Sequence, residues 1–277
     1  VTGDINFTGT LYQNGSAFSG GGGASSLDGL SDVKFGGTGF SDSLLIGNTT
    51  TGTLNNANYN VGVGTDVFRN ITSADRNTAV GYKALRSLTS SAYNTAVGYN
   101  CLFAASSGSD SNTAVGSSAL YNLTTSSKYN IAVGGLTLYT ASSGCNYNTA
   151  VGYRALFTGT GSYNSALGYK SLEGTTTGQY NTAMGYQSGL TNTTGQYNTY
   201  LGYNADTNAN NYSNSTAIGY DSEITKSDQI VLGKSSSPPD VYIPGKLGIK
   251  DTSPSYDLDV TGDINFTGTL YQNGSAF

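Results

Sequence analysis

The chain has 277 residues, only 10% of them charged, with 39 Gly, 22 Tyr, 9 Phe and a net charge of −5. A globular domain carries about 25% charged residues, and a disordered chain is charge-rich and aromatic-poor, so both are excluded in favour of stacked β-structure. The acidic balance argues against nucleic acid, no apolar run is long enough to cross a membrane, and the absence of His removes the commonest general base and metal ligand.

Residues 1–18, VTGDINFTGTLYQNGSAF, read as a short β connector module and recur unchanged at 260–277, an offset of 259 residues. The module alternates Ile264, Phe266 and Leu270 and then carries Asn273-Gly274, a hairpin turn signal. It is too short to bury a core alone. Two explanations fit the duplication: the same module brackets one rod, or the chain is one unit of a tandem array, the reading favoured here. Residues 19–42 follow as a linker, Gly-rich at Ser19 to Ser26, and a lead-in.

Residues 43–234 are repeats. Aligned on a closing glycine, they give about a dozen coils, most of them 16–18 residues long, with Gly64, Gly81, Gly98, Gly116, Gly134, Gly152, Gly168, Gly185, Gly202 and Gly219 in one column. Four residues earlier stands Asn60, Asn77, Asn94, Asn112, Asn130, Asn148, Asn164, Asn181 or Asn198. A medium apolar residue precedes the glycine, Ala lies before that, and Thr before Ala. A small residue such as Ala84, Cys101 or Ala119 follows three after the glycine, then a large one such as Phe68, Leu85 or Leu102.

Each repeat reads as one coil of a parallel β-solenoid: a short strand, a glycine turn, a second short strand with the small and large apolar pair, and a surface loop. Alternation puts Thr and Val on one face and Ala on the other, with Thr taken as facing the interior. The glycine column suits positive φ or close contact between coils. Two Tyr columns, one just after the glycine and one five before it, read as stacked ladders that stiffen the rod, or alternatively as a sugar-stacking face. Residues 235–259 form a second connector, opened by Pro238-Pro239 and Pro244.

Chemistry is sparse. Cys101 occupies the small inward column as a buried thiol, whereas Cys145 reads as a loop residue open to an interchain bond. The two lie about 12 Å apart along the axis, too far for a disulfide. Asp257, Asp259 and Asp263 read as a solvated edge, or as ligands of an ion on an axis between chains. Glu173 and Glu223 are the only glutamates, and neither has an evident carboxylate partner. No nucleophile, phosphate-loop or zinc motif occurs, so no catalytic, metal or cofactor residue is predicted. Asn70, Asn122 and Asn192 are candidate glycosylation sites in loops.

NSTAIGYDS, from Asn214 to Ser222, resembles the NSVAIGxxS repeat of the YadA-like head of trimeric autotransporter adhesins, with Thr216 in place of Val. The NTAVGYxAL copies resemble it more loosely, and similar runs occur in trimeric viral tail fibres. The resemblance covers about residues 43–234, whose repeats are longer than those of the adhesin heads. It implies a left-handed β-roll, three chains side by side, and attachment. LGIKDTSPSYDLDVTGDINFTG, residues 247–268, resembles the connector after β-rich shafts in phage and algal-virus fibres.

The expectation is a non-catalytic structural and adhesive fibre on a virion or cell surface. It would assemble with itself as a homotrimer and head-to-tail filament, and meet a surface glycan or receptor. The alternatives are an ice- or glycan-binding solenoid and a fibre-borne polysaccharide depolymerase.

Overall fold

A computed structural model describes residues 33–47 and 50–264, the strand residues 12–13, 16–17, 271–272 and 275–276, and residues 267 and 269. The Gly-rich linker lies outside the described residues. The chain divides into two units, residues 1–237 and 238–277.

The first unit is an all-β solenoid. Twelve three-residue strands stack in parallel: Leu44–Ile46, Val61–Val63, Thr78–Val80, Thr95–Val97, Thr113–Val115, Ile131–Val133, Thr149–Val151, Ser165–Leu167, Thr182–Met184, Thr199–Leu201, Thr216–Ile218 and Ile230–Leu232. Equivalent residues of successive coils are direct partners, so Ala79, Ala96 and Ala114 stand in line. At one end Val33–Phe35 pairs antiparallel with Leu44–Ile46, which adds a cap strand inside the stretch read as lead-in.

The interior is narrow. The middle residue of the strand points inward, and Ala79, Ala96, Ala114, Ala132 and Ala150 are wholly buried. Opposite lie Phe68, Leu85, Leu102, Leu120, Leu138, Leu156 and Leu172, also wholly buried. Each such Leu contributes about 1.5–3 kcal/mol of burial. Leu fills the width of the coil, so only Ala fits across from it. Thr and Val therefore point outward: Thr78 and Val80 are exposed while Ala79 is buried. This corrects the reading of Thr as an interior residue.

The expected second strand is also corrected. After the glycine the chain turns rather than extends. Residues two and four after the glycine adopt left-handed backbone, as at Lys83 (φ 58°) and Leu85 (φ 49°). The Tyr five before the glycine does the same, as at Tyr163 (φ 61°). From the coil of Gly64 to that of Gly219 these three columns carry no Val, Ile or Thr, for which positive φ is most strained. Among the described residues of the solenoid a second sheet appears only in the last coils, where Asp206–Thr207 pairs in parallel with Glu223–Ile224.

Two exceptions in the core compensate each other in size. Tyr200 takes an inward Ala position and is wholly buried. Gly189 takes the Leu position, and a Cβ there would lie 2.8 Å from the Tyr200 ring. Near the first coils, Leu45 and Phe68 are large and Gly62 between them is small; a Cβ on Gly62 would approach both side chains within 2.8 Å.

The second unit contains one parallel pair, Leu247–Ile249 with Leu258–Val260. It also contains an antiparallel pair, Tyr271–Gln272 with Ser275–Ala276. The duplicated sequence near the start pairs the same way, Tyr12–Gln13 with Ser16–Ala17. No described residue of this second unit is buried. Val241, Tyr242, Tyr256, Leu258 and Ile264 are all more than half exposed.

Candidate functional site: the asparagine spine and the tyrosine-walled face

The asparagine column forms a buried spine. The Asn60 Oδ1 accepts hydrogen bonds from the Asn77 backbone N–H (3.0 Å) and from Asn77 Nδ2 (3.1 Å). Asn77 Nδ2 also donates to the Ser91 carbonyl at 2.9 Å, tying the loop to the strand. The backbone link runs from coil to coil down to Asn198, whose Oδ1 accepts from the Ser215 N–H at 3.0 Å. At the other end the Ser43 hydroxyl accepts from the Asn60 N–H at 2.8 Å. Ser43 and Ser215 thus continue the column at its ends, and sequence reading missed both because they are not Asn. A buried amide left unpaired costs about 1–3 kcal/mol, so each Asn depends on its neighbour.

The glycines run alongside. From Gly64 to Gly202 the column has φ between 127° and 141°. A Cβ on Gly98 would lie 2.6 Å from the Gly116 carbonyl oxygen, so both the dihedral and the coil contact demand glycine.

Both tyrosine columns border the outward Thr and Val rows. Tyr129, Tyr147, Tyr163, Tyr180 and Tyr197 stack in series at 4.9–5.0 Å between ring centroids. Tyr153, Tyr169, Tyr186, Tyr203 and Tyr220 do so at 4.9–5.7 Å. Within a ladder both faces of a ring are used by its neighbours. The rows therefore present ring edges and hydroxyls rather than the faces a sugar would stack on. A third ladder, Phe103, Tyr121, Tyr139 and Phe157, escaped sequence reading. Its signal is an aromatic five after the glycine in four consecutive coils. Arg86 and Arg154 lie over its end rings, at 5.6 and 4.1 Å.

The remaining predicted positions separate. Cys101 is buried against the Val97 and Gly116 carbonyls. Cys145 is likewise buried, with its thiol beside Asn148 Nδ2 (3.2 Å), so the interchain bond is ruled out for this fold. Burial pushes the Cys145 thiol up to about 12, which keeps it protonated and unreactive. Asn70 is exposed and Asn122 half-buried, but Asn192 is wholly buried and bonds to the Gly195 carbonyl. It occupies the inward column of Ile71, Leu88 and Leu123, which removes it as a glycosylation site. The Asp259 carboxylate accepts the Ser255 N–H at 2.9 Å. No group of three or more acidic or thiol residues is placed to hold a metal among the described residues.

The last coils bring several charges together. Asp206 lies beside Glu223 in register, and Asp221 pairs with Lys234 at 2.9 Å. Burial and the Glu223 charge raise the Asp206 carboxyl above its ordinary value, against the lowering effect of hydrogen bonds from Thr191. Among the described residues there is no helix long and apolar enough to cross a membrane. No family model matches the chain, and no curated protein matches it.

Proposed function

We propose that this chain is a structural and adhesive fibre protein, without catalytic activity, that works at the surface of a virion or cell. Three copies associate side by side as left-handed β-rolls. The repeated 18-residue module joins units head to tail into a filament that presents the solenoid to a surface glycan or receptor. The observation that carries this reading is the second unit. It has defined strand pairing yet buries none of its described residues, with Tyr242 86% and Tyr256 73% exposed. Such a segment cannot hold its shape in water without other chains to cover it. Symmetric self-association is the commonest way to supply them, and a contact that does not close produces a fibre. The same antiparallel pairing in both copies, Tyr12–Gln13 with Ser16–Ala17 and Tyr271–Gln272 with Ser275–Ala276, supports the repeat of a single unit.

The test is the mass of the full chain in solution by light scattering, followed by electron microscopy. Three chain masses, or rods of regular length, are expected. A stable compact monomer at micromolar concentration would sink the reading.

A further inference from the structure

The tyrosine rows are interrupted, and one interruption is filled from within. Five residues before Gly81 stands Arg76 where its neighbours have Tyr59 and Tyr93. Its guanidinium lies 5.1 Å from the Tyr59 ring centroid and 5.4 Å from that of Tyr93, sandwiched between them. The row breaks again at Ser111, between Tyr93 and Tyr129, and among the described residues no ring or cation stacks between these two.

The backbone passes through this gap unchanged. Tyr93, Ser111 and Tyr129 have φ of 61°, 59° and 60°, and their N–H groups bond to the preceding coil in the same way. The gap is therefore one rung deep, with the same pitch as the slot that Arg76 occupies. The second row is missing on the same coil, at Ser117 and then Gly135, between Tyr99 and Tyr153. The coil closed by Gly116 thus lacks tyrosine in both rows, a notch in the outward face that carries Ser111, Thr113 and Ser117 and has Tyr93 and Tyr129 on the flanking coils.

Tyr93 and Tyr129 are 57% and 50% exposed, so both rings are open to solvent. Both interrupted coils also carry an Asp just before the missing Tyr, Asp75 and Asp110. Asp110 accepts the Ala92 N–H at 3.0 Å and pairs with Lys128 at 2.8 Å, which neutralises the one cation beside the slot.

We propose that this notch binds an arginine side chain of a partner polypeptide, whose guanidinium enters between Tyr93 and Tyr129 as that of Arg76 enters between Tyr59 and Tyr93. A planar cation suits two parallel π-faces, whereas an ammonium does not stack. The arginine comes from another protein because this chain has none to spare. Arg69 and Arg86 pair with Asp66, Arg154 lies over Phe157, and Arg76 is already sandwiched.

The test uses the full chain with isotope-labelled tyrosine rings, followed by NMR. N-acetyl-arginine amide should shift the Tyr93 and Tyr129 signals at least about threefold more than N-acetyl-lysine amide does, because only the guanidinium stacks. Ser111→Arg fills the slot from within and should abolish the response, as should Ser111→Tyr, while Ser111→Ala should keep it. Unchanged Tyr163 and Tyr180 signals would show that each variant is folded. Equal shifts with the lysine probe, no shift with either, or a response that survives in Ser111→Arg would overturn the proposal. A response to methyl glucoside in place of arginine would make the notch a saccharide site and overturn it too.

Discussion

The solenoid and the connector use similar residues to opposite ends. In the solenoid a three-residue strand such as Thr78–Val80 contributes one inward methyl group, and repetition turns that into a continuous core. In the connector Leu247–Ile249 and Leu258–Val260 are richer in large apolar residues, yet none of them is buried. Apolar content therefore does not make an interior. Stacking does, because each coil is the cover of the next. The connector has one parallel pair and no further coil among the described residues, so its apolar residues stay exposed.

The sharpest way to break this comparison is to spoil the connector alone. Ile249→Asp with Leu258→Asp places two carboxylates among the exposed apolar residues. Assembly should be lost outright, seen as a fall to one chain mass by light scattering. Solenoid unfolding followed by circular dichroism should keep its midpoint. A matching loss of solenoid stability would show that the two units do not differ as described.

Glycine substitutions divide the regions next. Gly98→Ala brings a Cβ to 2.6 Å from the Gly116 oxygen at φ 134°, and should cost about 3 kcal/mol or more in urea unfolding. Gly245→Ala in the connector meets nothing within 4 Å and should change stability by less than about 0.5 kcal/mol. Equal effects at the two glycines would remove the claim that coil contact, rather than glycine content, sets the requirement.

These glycines were legible in the sequence because a backbone contact that recurs every coil imposes one residue type on a whole column. The Asn spine was legible for the same reason. Orientation was not. Alternation separates Thr78 and Val80 from Ala79 but does not say which side is inside, and that depends on Leu85 and Leu102 filling the coil from the opposite wall. The turn after the glycine was hidden differently. Leu85 and Leu102 look like strand residues by hydrophobicity. The telling sign, a Thr-rich chain that keeps β-branched residues out of three columns, is an absence. The notch at Ser111 was hidden as well, since a missing tyrosine gains meaning only when Tyr93 and Tyr129 are known to share a row.

Within the solenoid, the pair Gly189 and Tyr200 tests how tightly one coil covers the next. Gly189→Leu alone drives a side chain into the Tyr200 ring, and Tyr200→Ala alone leaves a cavity. The double substitution restores the pattern of the other coils and removes a buried hydroxyl that has no partner. The two changes should therefore be less harmful together than their sum, by about 1–3 kcal/mol in a double-mutant cycle of denaturant unfolding. Additive effects would mean that neighbouring coils pack independently.

The smallest effect is electrostatic and lies in the last coils, where the core thins out. Asp206 accepts hydrogen bonds from the Thr191 N–H (3.1 Å) and hydroxyl (2.8 Å), which favour its charged form. Burial and Glu223 oppose that and prevail, so the carboxyl sits above its ordinary value of 3.8. The folded state therefore holds its proton more tightly than the unfolded chain. Below the ordinary value both states are protonated and nothing is lost. As pH climbs towards the raised value the unfolded chain ionises first, and stability falls; beyond it the loss is constant. Asp206→Asn carries no charge to desolvate and should stabilise the last coils at neutral pH, with the gain disappearing as the medium is acidified below the ordinary carboxylate value. Urea midpoints at both pH values would measure it. A gain of equal size in acid would trace the effect to packing, and a loss at neutral pH would mean that the Thr191 hydrogen bonds outweigh burial after all.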